Sequence, residues 1–407
     1  MRAQICFRER RTICLLGDRE AAFIDLHNLL ARPLCDTENV FDKLLWRGHK
    51  LIGYRPTRQP VGNPGIMWGA LFVMVAVTGT AGFIGYHVAR TLLERGEGVV
   101  GFDNFNDYYD PALKEARNRE LEKFAGFRCI RGELSDLEAV GSLFKGDHPR
   151  CVIHLGAQAG VRYSIDHPRA YVDSNVVGFL NILECCRAGK IEHLVYGSSS
   201  SVYGTNRKMP YSVHDGADHP VSLYAATKKS NELMAHVYSH LFGLPTTGLR
   251  FFTVYGPWGR PDMAYFRFTT QILSGEPIDV YNNGDMLRDF TYVDDVVAAL
   301  LAAAEKPPKP NPDWDSMKSE PSTAAAPYRV FNIGAHRPIP LMSMIEALEE
   351  CFGKKAEKRF LPMQSGEVME TFADVSDLEN LVGFSPKVPL AEGLARFAKW
   401  YRDYYGV

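Results

Sequence analysis

The sequence predicts an α/β protein built on a doubly wound parallel sheet, with a smaller C-terminal α/β lobe. Three observations lead to this fold class. An apolar run rich in β-branched residues, 73–78, ends at a cluster of glycines. A second apolar run ends at Asp103, and strand-like and helix-like segments alternate from there to about Gly256. Such alternation is typical of parallel strands that helices cover on both faces.

The composition limits the class of protein. The chain has 407 residues, more than one typical core holds, so we expect more than one lobe. A net charge of −2 gives no overall attraction to nucleic acid or to an anionic membrane. The longest apolar run, 66–77, is too short to span a bilayer. The eight cysteines show no paired framework and no metal-ligand spacing, which indicates reduced thiols in the cytoplasm and no metal site.

The first element of the predicted sheet carries a dinucleotide motif. Gly79, Gly82 and Gly85 follow the strand, and Phe83 and Ile84 begin an amphipathic helix. Glycines at this spacing let the backbone approach a pyrophosphate, and the N-terminus of the helix presents N–H groups to it. Three glycines alone are weak evidence, because many ordinary loops contain them.

The second predicted strand, 98–103, strengthens the interpretation of the glycines as part of a dinucleotide site. It ends at Asp103, whose carboxylate can accept hydrogen bonds from the hydroxyls of an adenosine ribose. A carboxylate at this place would repel a 2′-phosphate, so the pair of motifs predicts NAD rather than NADP as the cofactor.

These motifs divide the chain into predicted regions. Residues 1–70, with one helix-like segment at 19–30, are expected to be a poorly ordered extension or an incorrectly assigned start; a real accessory segment is the alternative. Residues 71–256 are predicted to form an NAD-binding domain of the Rossmann type. Residues 257–407 are predicted to form mainly a substrate lobe, with an exposed loop rich in proline, serine and alanine at 306–327.

The elements follow in order. Strands are predicted at 73–78, 98–103, 127–131, 151–156, 192–198, 246–252, 278–281 and 328–333. Helices are predicted at 83–95, 111–124, 136–145, 168–188, 223–242, 264–274, 293–304 and 390–405. In a doubly wound sheet the ligands lie at the carboxyl ends of the strands, where we expect the C-terminal lobe to cover a second substrate.

The pattern of three residues predicts that the protein oxidises and reduces a hydroxyl group of its substrate. Ser199 ends the strand at 192–198, and Tyr224 and Lys228 are four residues apart, on one face of the helix that follows. A free tyrosine has a pKa of about 10, so it is a poor base until neighbouring positive charges favour the phenolate. Ser199 can hold the same substrate hydroxyl. Alone, a tyrosine and a lysine at this spacing would more often be a chance surface pair.

Together these motifs resemble the extended short-chain dehydrogenase/reductase family, and the resemblance extends from Val73 to Tyr405. It implies tightly bound NAD and, for the sugar-nucleotide members, a nucleoside diphosphate sugar as substrate. Within the family, three segments resemble the members that invert C4 of UDP-glucuronate. The segments are 103–110, 157–164 and 256–263.

The resemblance also bears on the type of reaction. Dehydratases of the family carry an Asp-Glu pair, and decarboxylases a Glu, at places where this chain has Ser200 and Ser201. Without those carboxylates, oxidation at C4 is expected to be followed by re-reduction of a transient 4-keto sugar, which yields UDP-galacturonate. The alternatives are a UDP-glucose-type 4-epimerase, another nucleotide-sugar dehydrogenase of the family, or a regulator that senses the dinucleotide without catalysis.

The substrate residues are expected from the same resemblance. Thr253, Ser201 and Arg260 are candidates to hold the sugar carboxylate, and Arg162 is a further one. Arg288 resembles the arginine of the family that binds the diphosphate; the alternative for it is a surface ion pair with Asp289 or Asp285.

The chain departs from the family pattern at three places. Glu133 replaces a more usual Asp beside the adenine, Gly156 stands where relatives usually have Ala, and 364–371 lacks a second phosphate-binding arginine. Members of the family commonly form homodimers through two helices of each subunit. In this chain these helices would be 168–188 and 223–242.

Overall fold

The computed structural model describes residues 4–7, 12–16, 21–25 and 73–407, apart from 147, 319, 364–368 and 384. The chain divides into two compact units, Met1–Pro64 and Gly65–Val407. Most of the predicted extension 1–70 therefore lies outside the described residues, and its status stays a prediction.

The described part of the first unit is an antiparallel sheet of three strands. They are β1 (Gln4–Phe7), β2 (Thr12–Leu16) and β3 (Ala21–Asp25). The helix predicted at 19–30 is wrong over β3, because these residues pair along their whole length with β2. Pairing with a neighbouring strand outweighs the local helix preference of the two alanines.

The second unit alternates strands and helices. Its strands are β4 (Met74–Thr78), β5 (Gly98–Asp103), β6 (Phe127–Arg131), β7 (Cys151–His154), β8 (His193–Ser199), β9 (Thr246–Phe251), β10 (Thr253–Tyr255), β11 (Ile278–Val280), β12 (Leu287–Tyr292), β13 (Tyr328–Ile333), β14 (Pro338–Pro340), β15 (Lys358–Phe360) and β16 (Glu370–Thr371). Its helices are α1 (Phe83–Glu94), α2 (Pro111–Leu121), α3 (Leu137–Gly141), α4 (Tyr163–Asp166), α5 (Pro168–Tyr171), α6 (Gly178–Ala188), α7 (Leu223–Phe242), α8 (Ala264–Ser274), α9 (Val293–Ala304), α10 (Leu341–Phe352), α11 (Ser376–Val382) and α12 (Leu390–Tyr405).

Seven parallel strands form the main sheet in the order β13-β9-β8-β7-β4-β5-β6. This order confirms the predicted doubly wound fold. The chain winds outwards from β4 in one direction through β5 and β6, and in the other through β7, β8 and β9. The order therefore reverses between β4 and β7, and a crevice opens there at the carboxyl ends of the strands. All residues of β4 are buried, as expected for a central strand covered on both faces.

The region after residue 256 contributes to two parts of the fold. β13 pairs with β9 at the edge of the main sheet, so 257–407 is not wholly a substrate lobe. The lobe itself contains two small sheets, in which β12 pairs with β10, β14 and β16, and β11 pairs with β15. Among the described residues, no helix combines the length and the apolar character needed to cross a membrane.

Two predicted segments differ in detail. Between α5 and α6 the predicted helix 168–188 passes through a wider π-helical turn at Val172–Val177. The loop predicted at 306–327 contains no helix or strand among its described residues, but it is not exposed throughout. Ser322 and Ala324 are buried, because the backbone N–H of Val330 donates to the carbonyl of Ser322 and returns this end of the loop to β13.

Candidate active site

The crevice at the carboxyl ends of the main sheet is a cavity of about 760 Å³, called here the central cavity. Every residue that the sequence predicts for the site lines it. The dinucleotide candidates are Gly79, Gly82, Phe83, Ile84, Gly85 and Asp103; the catalytic candidates are Ser199, Tyr224 and Lys228; and the substrate candidates are Arg162, Ser201, Thr253, Arg260 and Arg288.

The turn between β4 and α1 has no space for side chains at its glycines. Gly79 has a φ of +75°, in the left-handed region, and a Cβ there would lie 2.8 Å from the backbone nitrogen of Gly156. A Cβ at Gly85 would lie 2.0 Å from the carbonyl oxygen of Gly79. The glycines thus bring the start of α1 against the strand ends, where no side chain caps the helix among the described residues.

Asp103 ends β5 beside this turn. One carboxylate oxygen accepts the N–H of Ala81 at 3.0 Å, and the other accepts the N–H of Phe105 at 2.9 Å. Burial raises the pKa of Asp103, and these two N–H groups together with the Lys114 ammonium oppose the increase. The carboxylate is therefore fixed in orientation at the place where a ribose would bind.

Tyr224 and Lys228 project from the first turns of α7 towards the end of β8. The Lys228 ammonium donates to the carbonyl of Gly197 at 2.8 Å, and burial lowers the pKa of Lys228 from 10.5 to about 8. The hydroxyl of Ser199 lies close enough to Tyr224 to lower the pKa of the tyrosine, and its Oγ accepts the N–H of Ser201 at 3.2 Å. The three predicted catalytic residues therefore lie together where α7 meets the end of β8.

The surroundings of Tyr224 shift its pKa in both directions. Burial raises the pKa of Tyr224, whereas the neighbouring Ser199 hydroxyl and the Arg260 guanidinium lower it. Asp262, on the same loop as Arg260, raises it. Arg260 is thus close enough to the tyrosine for its charge to act on the hydroxyl that would meet the substrate.

Arg260 is held by an ion pair on the far side of the central cavity. Its Nε and Nη2 atoms donate to the two oxygens of Asp262 at 3.0 and 2.7 Å, and Tyr108 donates to the same carboxylate at 3.2 Å. Arg162 lies over the ring of Tyr281, 5.5 Å from its centroid. The guanidinium groups of Arg260 and Arg162 therefore both lie ordered at the wall of the central cavity.

Arg288 lies on β12 with its side chain at the central cavity. Its Nη1 donates to the carbonyls of Leu287 and Met369 at 2.9 and 3.0 Å. Asp289, which with Asp285 is an alternative partner for Arg288, accepts the backbone N–H groups of Ala335, His336 and Ala373 through its carboxylate.

A family model describes most of this second unit. Residues 75–334 match the model of the NAD dependent epimerase/dehydratase family. The chain belongs to this family.

Individual relatives cover the same part of the chain. The CapI protein of Staphylococcus aureus is 52% identical over 331 residues, which are 81% of this chain and 99% of that protein. The probable UDP-glucuronate 4-epimerase of Rhizobium meliloti is 49% identical over 330 residues, 81% of this chain and 97% of that protein. The crystal structure of UDP-glucuronic acid 4-epimerase from Bacillus cereus with UDP-glucuronic acid and NAD has a TM-score of 0.72 and 34% identity; the match covers 82% of this chain and 100% of that one.

The residues present fit the cofactor of the family. The close approach of the turn at Gly79 and Gly85, the uncapped start of α1 and the fixed carboxylate of Asp103 are the features that a dinucleotide requires. These residues would hold the pyrophosphate and the adenosine ribose, and Tyr224 and Lys228 would face the nicotinamide end. No group of acidic, histidine or cysteine side chains suited to a metal ion occurs in the described ranges.

The departures from the family pattern have local explanations. Glu133 accepts a hydrogen bond from the Asn104 amide at 3.0 Å at the cavity wall. At Gly156 a Cβ would lie 3.0 Å from Oγ1 of Thr78, so an alanine would need a small shift of β4. Most of 364–371 lies outside the described residues.

One residue that sequence reasoning missed joins both sides of the central cavity. Arg117 on α2 is fully buried. Its guanidinium donates to the carbonyls of Ala81 at 2.7 Å, Trp258 at 2.6 Å and Gly259 at 3.1 Å. It therefore links the glycine turn to the loop that carries Arg260. Its position between Leu113 and Leu121, four residues from each on one helix face, could have indicated its burial.

Asn175 is a second residue that the sequence did not single out. It lies in the π-helical turn, where its amide nitrogen donates to the carbonyl of Gln158 at 3.0 Å and to the hydroxyl of Thr227 at 3.1 Å. Its carbonyl oxygen accepts the N–H of Gln158 at 2.8 Å. Asn175 thus connects the loop after β7 to α7 between Tyr224 and Lys228.

Proposed function

We propose that this protein converts UDP-glucuronate to UDP-galacturonate by inversion at C4, with NAD as a tightly bound cofactor. The observation that carries the choice of substrate is the position of Arg260. Its ordered guanidinium acts on the hydroxyl of Tyr224 within the central cavity, so a sugar whose C4 hydroxyl meets Tyr224 would have its C5 carboxylate within reach of a positive charge. The names of the relatives from R. meliloti and B. cereus support this choice.

Residues of this chain remove and return the proton of the C4 hydroxyl. Tyr224 removes the proton from the C4 hydroxyl, and Ser199, beside Tyr224 at the end of β8, holds the same oxygen. Lys228, fixed by the carbonyl of Gly197, supplies positive charge that favours the phenolate. NAD, when bound, supplies the chemistry of accepting a hydride from C4 and returning it. After the transient 4-keto sugar has turned, Tyr224 returns its proton to the oxygen at C4.

The side chains near C4 favour re-reduction over other outcomes. Ser200 and Ser201 bring hydroxyl groups to the wall of the cavity, where elimination of water would need an additional carboxylic acid and base. The 4-keto form of a glucuronate is a β-keto acid that can lose carbon dioxide. We assign to Arg260, Thr253 and Ser201 the task of holding the carboxylate in a plane unfavourable for that loss.

The diphosphate is assigned to Arg288, with Arg162 as a further cationic group at the sugar side. Both line the central cavity, and a guanidinium offers several donors that suit phosphate oxygens. UDP-sugar binding would then place the diphosphate at β12 and the hexose between Arg260 and Tyr224.

We also propose that the protein is a cytoplasmic homodimer. The outer faces of α6 and α7 expose large apolar side chains, with Leu180 42% exposed, Leu233 59% and Leu241 63%. Exposed apolar faces on adjacent helices are typical of a subunit interface. The described cysteines are free thiols, which fits a reducing compartment.

A product assay tests the proposed reaction. The purified protein is incubated with UDP-glucuronate and, separately, with UDP-glucose, and the nucleotide sugars are resolved by chromatography. We expect UDP-galacturonate from the first incubation and no comparable turnover in the second. Preferred turnover of UDP-glucose would show a neutral-sugar epimerase, and a UDP-pentose with carbon dioxide would show a decarboxylase. Either result would overturn the proposal.

A further inference from the structure

α7 meets the end of β8 through three consecutive contacts. Tyr224 lies close enough to Ser199 for the serine hydroxyl to lower the pKa of the tyrosine, Lys228 donates to the carbonyl of Gly197, and Glu232 accepts from the hydroxyl of Ser198 at 2.7 Å. The three helix residues are spaced by four, so they lie on one face of α7, one turn apart. The proposed reaction uses the first two contacts and gives no role to the third.

The third contact belongs to a buried ion pair. Oε1 of Glu232 accepts from Nε of Arg250 at 2.8 Å, and Oε2 accepts from Nη2 at 2.9 Å. The side chains of Glu232 and Arg250 are 1% and 0% exposed. This bidentate geometry fixes both partners in orientation as well as in position. Arg250 is on β9, where its partner in the sheet register is Ser198.

This arrangement ties the two elements that carry the catalytic candidates, β8 and α7, to the neighbouring strand β9. Ser198 is on β8, directly before Ser199; Arg250 is on β9; and Glu232 is on α7, one turn after Lys228. The carboxylate of Glu232 therefore sets how far α7 lies from β8 and where it lies along the strand. A shift of α7 would change the distance between Tyr224 and Ser199, because Tyr224 moves with the helix.

We propose that Glu232, Arg250 and Ser198 are positioning residues that hold Tyr224 and Lys228 in register with the end of β8. The inference rests on the proposed function, because it assumes that Tyr224 exchanges a proton with the substrate. None of the three needs to touch the reacting atoms. Misplacement of a catalytic group by about 1 Å can cost a hundredfold in rate, so the distance that this ion pair sets matters to turnover.

The expected signature is a change in the ionisation of Tyr224. The groups that face it are Ser199 on β8, Arg260 and Asp262 on the loop after β10, and Tyr171 on α5, with Lys228 on its own helix. The hydroxyl of Ser199 lowers the pKa of Tyr224. A larger distance between Tyr224 and Ser199 therefore moves ionisation of Tyr224 to higher pH.

Ser198→Ala tests the proposal with the smallest change. We expect kcat for UDP-glucuronate to fall at least about tenfold, KM to stay within about twofold, and the acidic limb of the pH–rate profile to move to higher pH. The control is Ser239→Ala, a buried serine of α7 whose hydroxyl bonds to the carbonyl of Leu244 and to Thr246. It should leave kcat, KM and the pH limb unchanged. A Ser198→Ala variant that behaves like this control would overturn the proposal.

Glu232→Gln removes the charge and keeps the shape. We expect a larger fall in kcat than in Ser198→Ala, with the NAD content of the purified protein unchanged. The matched control is Glu349→Gln on α10, a buried glutamate paired with Lys355 and Lys358 outside the lining of the central cavity. Should Glu232→Gln fail to fold, Ser198→Ala alone decides. A loss of NAD in proportion to the loss of activity would contradict a positioning role.

A second readout separates this inference from the proposed function. Tyrosine ionisation is titrated by absorbance in the wild-type protein and in Ser198→Ala, each as the difference from the same protein with Tyr224→Phe. We expect the Tyr224 titration to move to higher pH in Ser198→Ala. If the wild-type protein does not act on UDP-glucuronate, the proposed function fails, and the titration still decides on the positioning residues. An unchanged titration would refute them.

Discussion

Lys228 shows how a single residue combines stability and function. Its ammonium is buried against the carbonyl of Gly197, and burial lowers its pKa to about 8. At neutral pH the side chain is still mostly charged, so its removal from water costs the folded state free energy. Lys228 lies one helical turn after Tyr224, the residue that the proposed reaction needs as a phenolate.

The first prediction concerns Tyr224. Tyr224→Phe removes the proton acceptor and leaves the ring in place, so kcat should fall by about 10²–10⁴-fold while bound NAD is retained. Activity is measured from the product peak, and NAD is quantified after denaturation of the protein. Tyr238→Phe on the same helix, whose hydroxyl bonds to Glu184 away from the cavity, is the control. Near-normal turnover of Tyr224→Phe would contradict its assignment as the base.

The second prediction concerns the cost of burying Lys228. The difference between pKa values of 10.5 and about 8, at about 1.4 kcal/mol per pH unit, corresponds to about 3 kcal/mol. Lys228→Met should therefore be inactive and yet at least as stable as the wild type at neutral pH.

The pH dependence of this difference has a definite sign. Between pH 8 and pH 10.5 the folded wild type releases the Lys228 proton while the unfolded chain keeps it. The unfolded state then binds more protons, so the wild-type free energy of unfolding rises with pH relative to that of Lys228→Met. Urea unfolding of both proteins across this range measures the effect. If the difference in the free energy of unfolding between the wild type and Lys228→Met did not change with pH, that would argue against a charged, buried lysine.

The residues of the candidate site could be predicted individually where they belong to a sequence motif. Every predicted dinucleotide, catalytic and substrate residue lines one cavity, because the motifs lie at the ends of strands that the fold brings to one edge. Arg117 and Asn175 were missed, because their hydrogen bonds join segments far apart in the sequence. The apolar helix face of Arg117 could indicate its burial, but the partners that satisfy a buried arginine or asparagine cannot be predicted from its neighbours along the chain.

At the scale of elements, the turn between β4 and α1 allows little substitution. Gly85→Ala would place a methyl group 2.0 Å from the carbonyl oxygen of Gly79, so the turn must move. We predict a loss of NAD from the purified protein and destabilisation by about 1–3 kcal/mol or more. Gly141→Ala is the control, because a Cβ there meets no atom within 4 Å and the residue is helical. Equal NAD content and melting temperature in both variants would refute this prediction.

Long periodic elements could be predicted closely, and short ones could not. α7, α8, α9 and α12 begin and end at the predicted residues, since their apolar faces recur over several turns. β14 and β16 have three and two residues, and only their pairing with β12 defines them. The helix expected at 19–30 failed over Ala21–Asp25 for a related reason, because antiparallel pairing decided its conformation.

At the scale of the whole molecule, the apolar faces of α6 and α7 lead to a prediction of assembly. Leu233→Lys places a charge in the proposed interface, so the protein should change from dimer to monomer in light scattering, with little effect on the melting temperature of the subunit. Met317→Lys is the control, because Met317 is 89% exposed in the loop that follows α9. A monomeric wild type, or a Leu233→Lys protein that remains dimeric, would overturn the proposed interface.

The buried guanidinium of Arg117 has a consequence for motion during the proposed cycle. Its donors bind carbonyls of both the glycine turn and the loop before Arg260, so the two walls of the cavity cannot separate without leaving a cation unsatisfied. The exchange of faces at C4 must then come from the ligand, by rotation about the bonds between diphosphate and hexose. Structures with UDP-glucuronate and with UDP-galacturonate should therefore superpose at Ala81 and Gly259 and differ in the torsion angles of the sugar nucleotide.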